Sequence, residues 1–357
     1  MPLKVAVIGC GMMGSNHVRV YSDMPDVELV GVADTNTEAT AAVARKCSSR
    51  CYADYLRLLD ETRPDAVSIA VPTTDHLAVA LPAIERGIHL LIEKPLAFTA
   101  EEAKDIIHAA ARAKVCLMVG HIERFNPAVH LLKKKLDQGE LGNVFQIDAR
   151  RQGPFPARVL DVGVVIDLAV HDLDVMRYIT GAEITRVFAE TEHRINSVHE
   201  DLLSGLVRLD DGAVGTITIN WLTPTKIREL YVTGQCGMFR VDYLTQDLYF
   251  FENAKANGTD WETLRVLRGV SEGRMIRYVV EKREPLRVEL EAFVSAARGE
   301  MPAPVSGADG LKAIELAQAM IASGLEHQVL SLQVKTLQVS ETYEAWDQVV
   351  DRSVIRS

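Results

Sequence analysis

The chain has 357 residues, 48% of them hydrophobic and 25% charged, with 39 Lys plus Arg against 49 Asp plus Glu for a net charge of −10. That length exceeds one ordinary hydrophobic core and suits two α/β domains, and the globular composition excludes disordered and fibrous classes. An acidic balance repels phosphate polymers and anionic lipid, so neither a nucleic acid nor a membrane is an expected partner.

The start, MPLKVAVIGCG, lacks the apolar stretch and cleavage site of a signal peptide, and no run approaches the roughly 18 apolar residues of a membrane span. Five cysteines, Cys10, Cys47, Cys51, Cys116 and Cys236, cannot all pair. Cys47 and Cys51 have no second pair at zinc-finger spacing, so free thiols in a cytoplasmic protein without a bound metal are expected.

Along the first third, short β-rich runs alternate with helical patterns, which is how a parallel, doubly wound sheet reads. The expected strands are Lys4 to Ile8, Val27 to Ala33, Ala66 to Val71, His89 to Glu93 and Cys116 to Gly120, with amphipathic helices over His76 to Arg86 and Ala100 to Ala113. A connecting helix follows over Pro127 to Asp137. Longer alternating runs then come at Val144 to Arg150, Ile184 to His193, Leu202 to Leu209, Ala213 to Trp221 and Leu230 to Thr233, and Asp210-Asp211-Gly212 signals a hairpin. Strands joined by tight turns, with a helix over Asp167 to Ile179 ahead of most of them, predict an α+β domain with an open, mostly antiparallel sheet. Two later helices, Val288 to Ala297 and Gly310 to Ser323, are expected to return onto the rest. The domain reading is therefore 1–123, 124–330, and a tail, 331–357, with no assigned role. One uncovered sheet face predicts a homodimer or homotetramer.

Gly9-x-Gly11-x-x-Gly14, with Met12 and Met13 between the last two glycines, follows the strand VAVIG and opens a helical pattern. In that context the glycines permit a tight turn, close approach of backbone to a pyrophosphate, and close helix–strand packing, and the helix N-terminus offers N–H donors to phosphate. The competing reading is a merely glycine-rich turn. Asp34 ends the next strand about 20 residues after Gly14, the separation of the acid that binds an adenosine ribose diol. A carboxylate there repels a 2′-phosphate, and Thr35 and Asn36 offer no cation, so NAD is the expected cofactor rather than NADP.

Pro72-Thr73-Thr74-Asp75-His76 stands at the carboxyl end of the strand Ala66 to Val71, where ligands of open α/β sheets bind. Thr73 and His76 either line the cofactor groove or belong to a capped turn. Glu93-Lys94-Pro95 reaches the same edge one strand later, placing Glu93 and Lys94 at the cofactor. Proline restricts the residue before it to extended backbone, so Lys94 is held on a stiff stem. It is either a catalytic cation or a surface lysine.

Asp167 and His171 stand four apart in DVGVVIDLAVHDLDVMRY, on one face of the expected helix. An acid beside a histidine orients the ring and stabilises the imidazolium once it takes a proton. A salt-bridged core histidine, or a metal pair completed by His121, would read the same way.

In this order, the glycine turn, Asp34, Glu93-Lys94-Pro95, the run GHIERFNP at Gly120 to Pro127, and the Asp167/His171 pair resemble the glucose-fructose oxidoreductase/inositol dehydrogenase/MocA family over residues 3 to 325. The resemblance implies an N-terminal Rossmann domain, a C-terminal sheet that often forms a subunit interface, and NAD-dependent oxidation of a sugar or cyclitol hydroxyl. It makes Lys94, Asp167 and His171 the catalytic set, with either Lys94 or His171 as terminal proton acceptor. The runs GHIERFNPAV, RRQGPFPAR and NWLTPTKIRELYVTG are similar to a nucleotide-sugar branch of that family. This similarity implies a UDP-sugar, UDP-N-acetylglucosamine, oxidised at its 3-hydroxyl, and a downstream aminotransferase as pathway partner. It nominates Lys94, Arg124, Arg151, Arg158, Asp167, His171, Lys226 and Arg228 as substrate residues. Arg150, Arg151, Arg158, Lys226 and Arg228 would serve a diphosphate well, Arg by bidentate contact; the same residues also read as solvated charges on sheet edges. The alternatives are an inositol or free-sugar dehydrogenase, or a non-catalytic NAD-binding regulator.

Overall fold

The computed structural model describes residues 1–332 except 39, 41–42, 44, 46–48, 157–161, 196–197 and 255–271. These fall into two compact units: Met1–Ile122 with Glu284–Glu315, and Glu123–Arg283 with the described residues from Leu316 onward.

In the first unit, β1 (Leu3–Ile8), β2 (Val27–Ala33), β3 (Arg50–Tyr52), β4 (Ala66–Ile69), β5 (His89–Glu93) and β6 (Leu117–Gly120) form one parallel sheet in the order β3-β2-β1-β4-β5-β6. Its helices include α1 (Met12–Ser22), α2 (Tyr55–Thr62), α3 (His76–Glu85) and α4 (Ala100–Ala113). The central strands are buried on both faces, which is why VAVI is an unbroken apolar run and why the one polar residue of AVSI, Ser68, is buried with its hydroxyl 2.8 Å from that of Tyr21. Strand order reverses between β1 and β4, and a ligand crevice forms at such a reversal, beyond the carboxyl ends of the strands.

The expected cut at residue 123 is too simple for the rest of the chain. Helix α7 (Pro285–Ala297) packs on α1 within the first unit. Its apolar Leu286, Leu290 and Phe293 are buried, and Arg298 donates to the Asp26 carboxylate at 2.8 Å. Val119 N–H donates to Val305 O, and Gly310 opens α8 (Gly307–Glu326) so close to Val119 and Leu96 that a Cβ there would fall 2.8 Å from Val119. Residues 284–315 thus complete the first unit's core, although they follow the second unit's sheet in sequence.

The second unit is a nine-stranded sheet in the order β14-β13-β12-β11-β7-β10-β9-β8-β15. Its strands are β7 (Val144–Pro154), β8 (Ile184–Glu192), β9 (Leu202–Leu209), β10 (Val214–Asn220), β11 (Leu222–Gly234), β12 (Gly237–Asp242), β13 (Asp247–Asn253), β14 (Glu272–Tyr278) and β15 (Leu330–Ser331). All pairings are antiparallel except β7 with β10. The hairpin at Asp210-Asp211-Gly212 closes as expected, with Gly212 at φ +95° where only glycine is comfortable. Helices α5 (Pro127–Asp137) and α6 (Val170–Thr180) contribute to a core shared with the inward residues Ile147, Ala149, Ile217, Leu230 and Val232. Of the tail, Leu330–Ser331 pairs with β8 as an edge strand, and 333–357 lie outside the described residues. Among the described residues no helix is long and apolar enough to cross a membrane.

Candidate active site

The glycine turn is built as a phosphate cradle. Gly9 has φ +94°, and a Cβ on it would stand 2.4 Å from Ala70 O; a Cβ on Gly14 would stand 1.8 Å from Gly9 O. Both glycines are therefore required by packing. A Cβ on Gly11 would meet nothing within 4 Å. Gly11 is also the N-cap of α1, and no side chain caps the helix there. The N–H groups of the first turn, on Met12, Met13 and Gly14, thus have no side-chain competitor for an anion.

Asp34 braces the turn and keeps room for a ligand. One carboxylate oxygen accepts from Cys10 N–H at 2.6 Å and the other from Asn36 N–H at 2.7 Å. A carboxylate has about four acceptor sites, so lone pairs remain for a ribose diol. Cradle, open N-terminus and acid together fit NAD.

Thr73 lies in a single 3₁₀ turn, Thr73–Asp75, after β4, and no side chain there caps the turn or α3. Two nominated cofactor residues are turned inward instead. His76 is buried, with Nδ1 3.0 Å from Pro95 O and Nε2 3.1 Å from Val71 O, and the single N–H of its neutral ring donates to one of these carbonyls. Burial pushes its pKa down. Glu93 is buried as well and accepts from His17 Nε2–H at 2.8 Å. Burial alone would raise this carboxyl, yet the His17 hydrogen bond and charge and the nearby Lys94 hold it below the ordinary range. Lys94, half-buried at the carboxyl end of β5, stays at the edge and precedes Pro95 through a cis peptide bond.

In the second unit the helix expected over Asp167 to Ile179 has two parts. Val165–Ala169 is a π-helical turn with Asp167 at its centre, and α6 continues from Val170 with His171 in its first turn. π-turns of this kind concentrate at functional sites. His171 is buried at 8% exposure, and Asp167 is half-buried. Beside His171, Asp172 accepts a bidentate pair from Arg151 Nε and Nη2 at 2.7 and 3.1 Å, and Arg151 Nη1 donates to Glu123 at 2.7 Å. Burial opposes the charge on Arg151, but Asp172 and Glu123 outweigh it and hold the guanidinium well above its usual range.

That pairing corrects part of the expected substrate set. Arg151 serves the internal network. Arg124 is 3% exposed, donates to Asp174 at 2.7 and 2.5 Å, and stacks on Tyr178, so it too is structural. Arg150 projects from the opposite face of β7, pairs with Asp148 and lies over Tyr231. Arg150 and Arg151 therefore do not act together; strand alternation separates neighbours in sequence. Arg158 lies outside the described residues.

Arg228 and Lys226 remain. Arg228 pairs in register with Arg151, and both guanidinium nitrogens of Arg228 and Lys226 Cγ come within 4 Å of a Cβ placed on Gly153. Arg228 Nη1 donates to the carbonyls of Gln152 and Ile227, and among the described residues Arg228 has no ion pair. Burial first, and then the charge of Arg151, lower its pKa, while Asp172, Glu123 and Asp167 act in the other direction. It is a desolvated cation facing like charge, a position that favours an incoming anion.

The sequence reading missed His17, Glu200 and Glu289. An acidic residue inside an apolar helical run, as in Asp172, Asp174 and Glu289, is the available signal, since buried acids need partners. As for the metal reading of His121 with Asp167 and His171, among the described residues no three His, Cys, Asp or Glu are placed to hold an ion.

A family model described as an oxidoreductase family with an NAD-binding Rossmann fold matches residues 3–121, and one described as the GFO/IDH/MocA C-terminal domain matches residues 129–240. The UDP-N-acetylglucosamine 3-dehydrogenase of Acidithiobacillus ferrooxidans is 31% identical over 315 residues, covering 88% of this chain and 95% of the relative. Its solved structure, GnnA, superposes with a TM-score of 0.80 over 90% of this chain and 97% of that one. The scyllo-inositol 2-dehydrogenase (NAD(+)) of Bacillus subtilis is 31% identical over 233 residues, covering 62% of this chain and 68% of the relative. The WlbA dehydrogenase of Bordetella pertussis, solved with NADH and UDP-GlcNAcA, shares the fold at a TM-score of 0.77 and 22% identity, over 94% of this chain and 100% of that one.

Proposed function

This chain belongs to the Gfo/Idh/MocA family of NAD-binding oxidoreductases, and on that premise we propose that it oxidises the 3-hydroxyl of a UDP-sugar, UDP-N-acetylglucosamine, to the ketone. Arg228 carries the substrate reading: a half-buried guanidinium with no ion pair among the described residues favours a diphosphate over a neutral polyol. Lys226, exposed beside it, adds a second cation. The similarity to the Acidithiobacillus enzyme supports the same choice.

When bound, NAD supplies the hydride acceptor. Gly9 to Gly14 present backbone N–H groups to its phosphates, and Asp34 accepts from its ribose hydroxyls. His171 takes the proton of the sugar hydroxyl on an imidazole nitrogen, and Asp167 orients that ring and stabilises it once charged. Lys94 Nζ donates a hydrogen bond to the same oxygen as negative charge develops there. Removing His171 should slow turnover by about 100 to 10,000-fold. A ketone at C3 is the natural substrate of an aminotransferase, which we place next in the reaction sequence. We further propose a cytoplasmic homodimer or homotetramer. Cys10, Cys51, Cys116 and Cys236, which form no disulfide among the described residues, and the outward-facing Leu206 and Met275 on the sheet are consistent with it.

The test mixes purified protein, NAD and UDP-N-acetylglucosamine with hydroxylamine as ketone trap, and follows reduced nicotinamide. Turnover with the nucleotide sugar that Arg228→Glu abolishes is the expected result. A second reading, an inositol or free-sugar dehydrogenase, gains support because Arg124, Arg150 and Arg151 are already paired within the protein. Turnover with myo-inositol that survives Arg228→Glu, and none with the UDP-sugar, would establish it in place of the first.

A further inference from the structure

A π-turn has to be imposed from outside, because the α-helical alternative is better hydrogen-bonded. Around Val165–Ala169 the agent is on the page. Glu200 precedes β9, far along the chain, and holds two donors where the turn begins, on its cap residue Val164 and its first residue Val165. Its backbone O accepts from Val164 N–H at 2.8 Å, and its carboxylate Oε1 accepts from Val165 N–H at 3.1 Å. The side chain is 8% exposed and lies directly on Gly163, where a Cβ would fall 2.1 Å from the carboxylate. Glu200 is itself fixed by its neighbour. Asp201 N–H donates to Glu192 O, Asp201 O accepts from Trp221 N–H, and the Asp201 carboxylate accepts from the N–H groups of Arg194 and Ile195.

The consequence concerns angle. In an α-helix four residues span about 400°, which leaves positions i and i+4 about 40° out of line. A π-turn winds less per residue, so the four steps from Asp167 to His171, two of them inside the turn, come closer to one full revolution. Asp167 is thereby brought over His171 more nearly than the sequence spacing alone would bring it.

We propose that Glu200 is a positioning residue, a clamp that holds the π-turn and so aligns Asp167 with His171. The inference rests on the reading of His171 as the proton acceptor, and the experiment separates the two. Variants Glu200→Ala, Glu200→Gln and Gly163→Ala are compared with wild type by two readouts. One is the steady-state split between kcat and the KM for NAD, with UDP-N-acetylglucosamine as substrate. The other is the NMR titration of the His171 ring, identified as the resonance lost in His171→Gln.

Glu200→Ala and Gly163→Ala should lower kcat about 10- to 100-fold with an unchanged KM for NAD, and should shift the His171 titration. Glu200→Gln keeps an oxygen acceptor for Val165 and should restore both. Should Glu200→Ala not fold, Glu200→Asp, one methylene too short to reach Val165, is read the same way. A wild-type His171 titration in these variants overturns the clamp. A shifted titration with wild-type turnover supports the clamp and overturns the catalytic role of His171 instead.

Discussion

Both units bury paired charge, but the first also buries an acid that has no hydrogen-bond partner among the described residues. In the second unit every deeply buried cation described above sits against carboxylates: Arg151 between Asp172 and Glu123, and Arg124 on Asp174. In the first unit Glu289, on α7, is 0% exposed, and neither carboxylate oxygen has a hydrogen-bond partner among the described residues. Its electrostatic neighbour is another acid, Glu93, which His17 already engages. Paired burial fixes geometry beside His171, the proposed proton acceptor; unpaired burial favours the protonated acid. The contrast shows that the same residue type supports position in one unit and neutrality in the other.

The strongest way to break this contrast is to unpair the second unit. Arg151→Ala leaves Asp172 and Glu123 facing each other without their cation, and breaking such a buried pair from one side costs about 3 to 5 kcal/mol. Urea unfolding should show a loss of that size. A combined Arg151→Met, Asp172→Leu change should recover much of it, because removing both charges also removes the uncompensated one. A single variant as stable as wild type would mean that the network is not a stabilising one.

A smaller effect separates a ligand-facing carboxylate from the buried ones. Asp34→Ala should lower stability by only about 1 to 3 kcal/mol, through the stranded Cys10 N–H, while NAD affinity falls by about 1.5 to 3 kcal/mol through loss of charge-assisted hydrogen bonds. Calorimetric titration with NAD and NADP checks both halves. Tight NADP binding with little loss of NAD affinity would remove Asp34 from the ribose site.

What was legible in the sequence follows the range of the interaction concerned. β1, α1 and the glycine turn were readable because periodicity, glycine placement and the Gly14-to-Asp34 spacing are local. β3 was not, since three half-exposed edge residues carry no period. β12 to β14 were passed over, although Leu248 and Phe250 alternate with outward residues there, because short strands between turns give weak signals. VVIDLAVHDLDV reads as uninterrupted helix, and nothing in it announces the π-turn that Glu200 imposes from 35 residues beyond Val165. The pairing of Arg124 and Arg151 was not legible for the same reason: their carboxylates sit on α6, and only the tertiary fold brings them together.

Glu289 offers the finest test of the comparison. Burial, followed by the charge of Glu93, raises its pKa well above that of an exposed glutamate. Above the ordinary glutamate range the unfolded chain releases this proton while the folded chain keeps it, so the group lowers stability as pH rises, by up to about 1.4 kcal/mol per pH unit, until the folded form also ionises. Below that range both states are protonated and the penalty vanishes. Glu289→Gln, which copies the neutral acid, should therefore match wild type near pH 4 and become progressively more stable relative to it toward pH 8, as read from urea midpoints across the series. If Glu289→Gln tracks wild type at every pH, a partner must neutralise that carboxylate, and the two units bury charge alike.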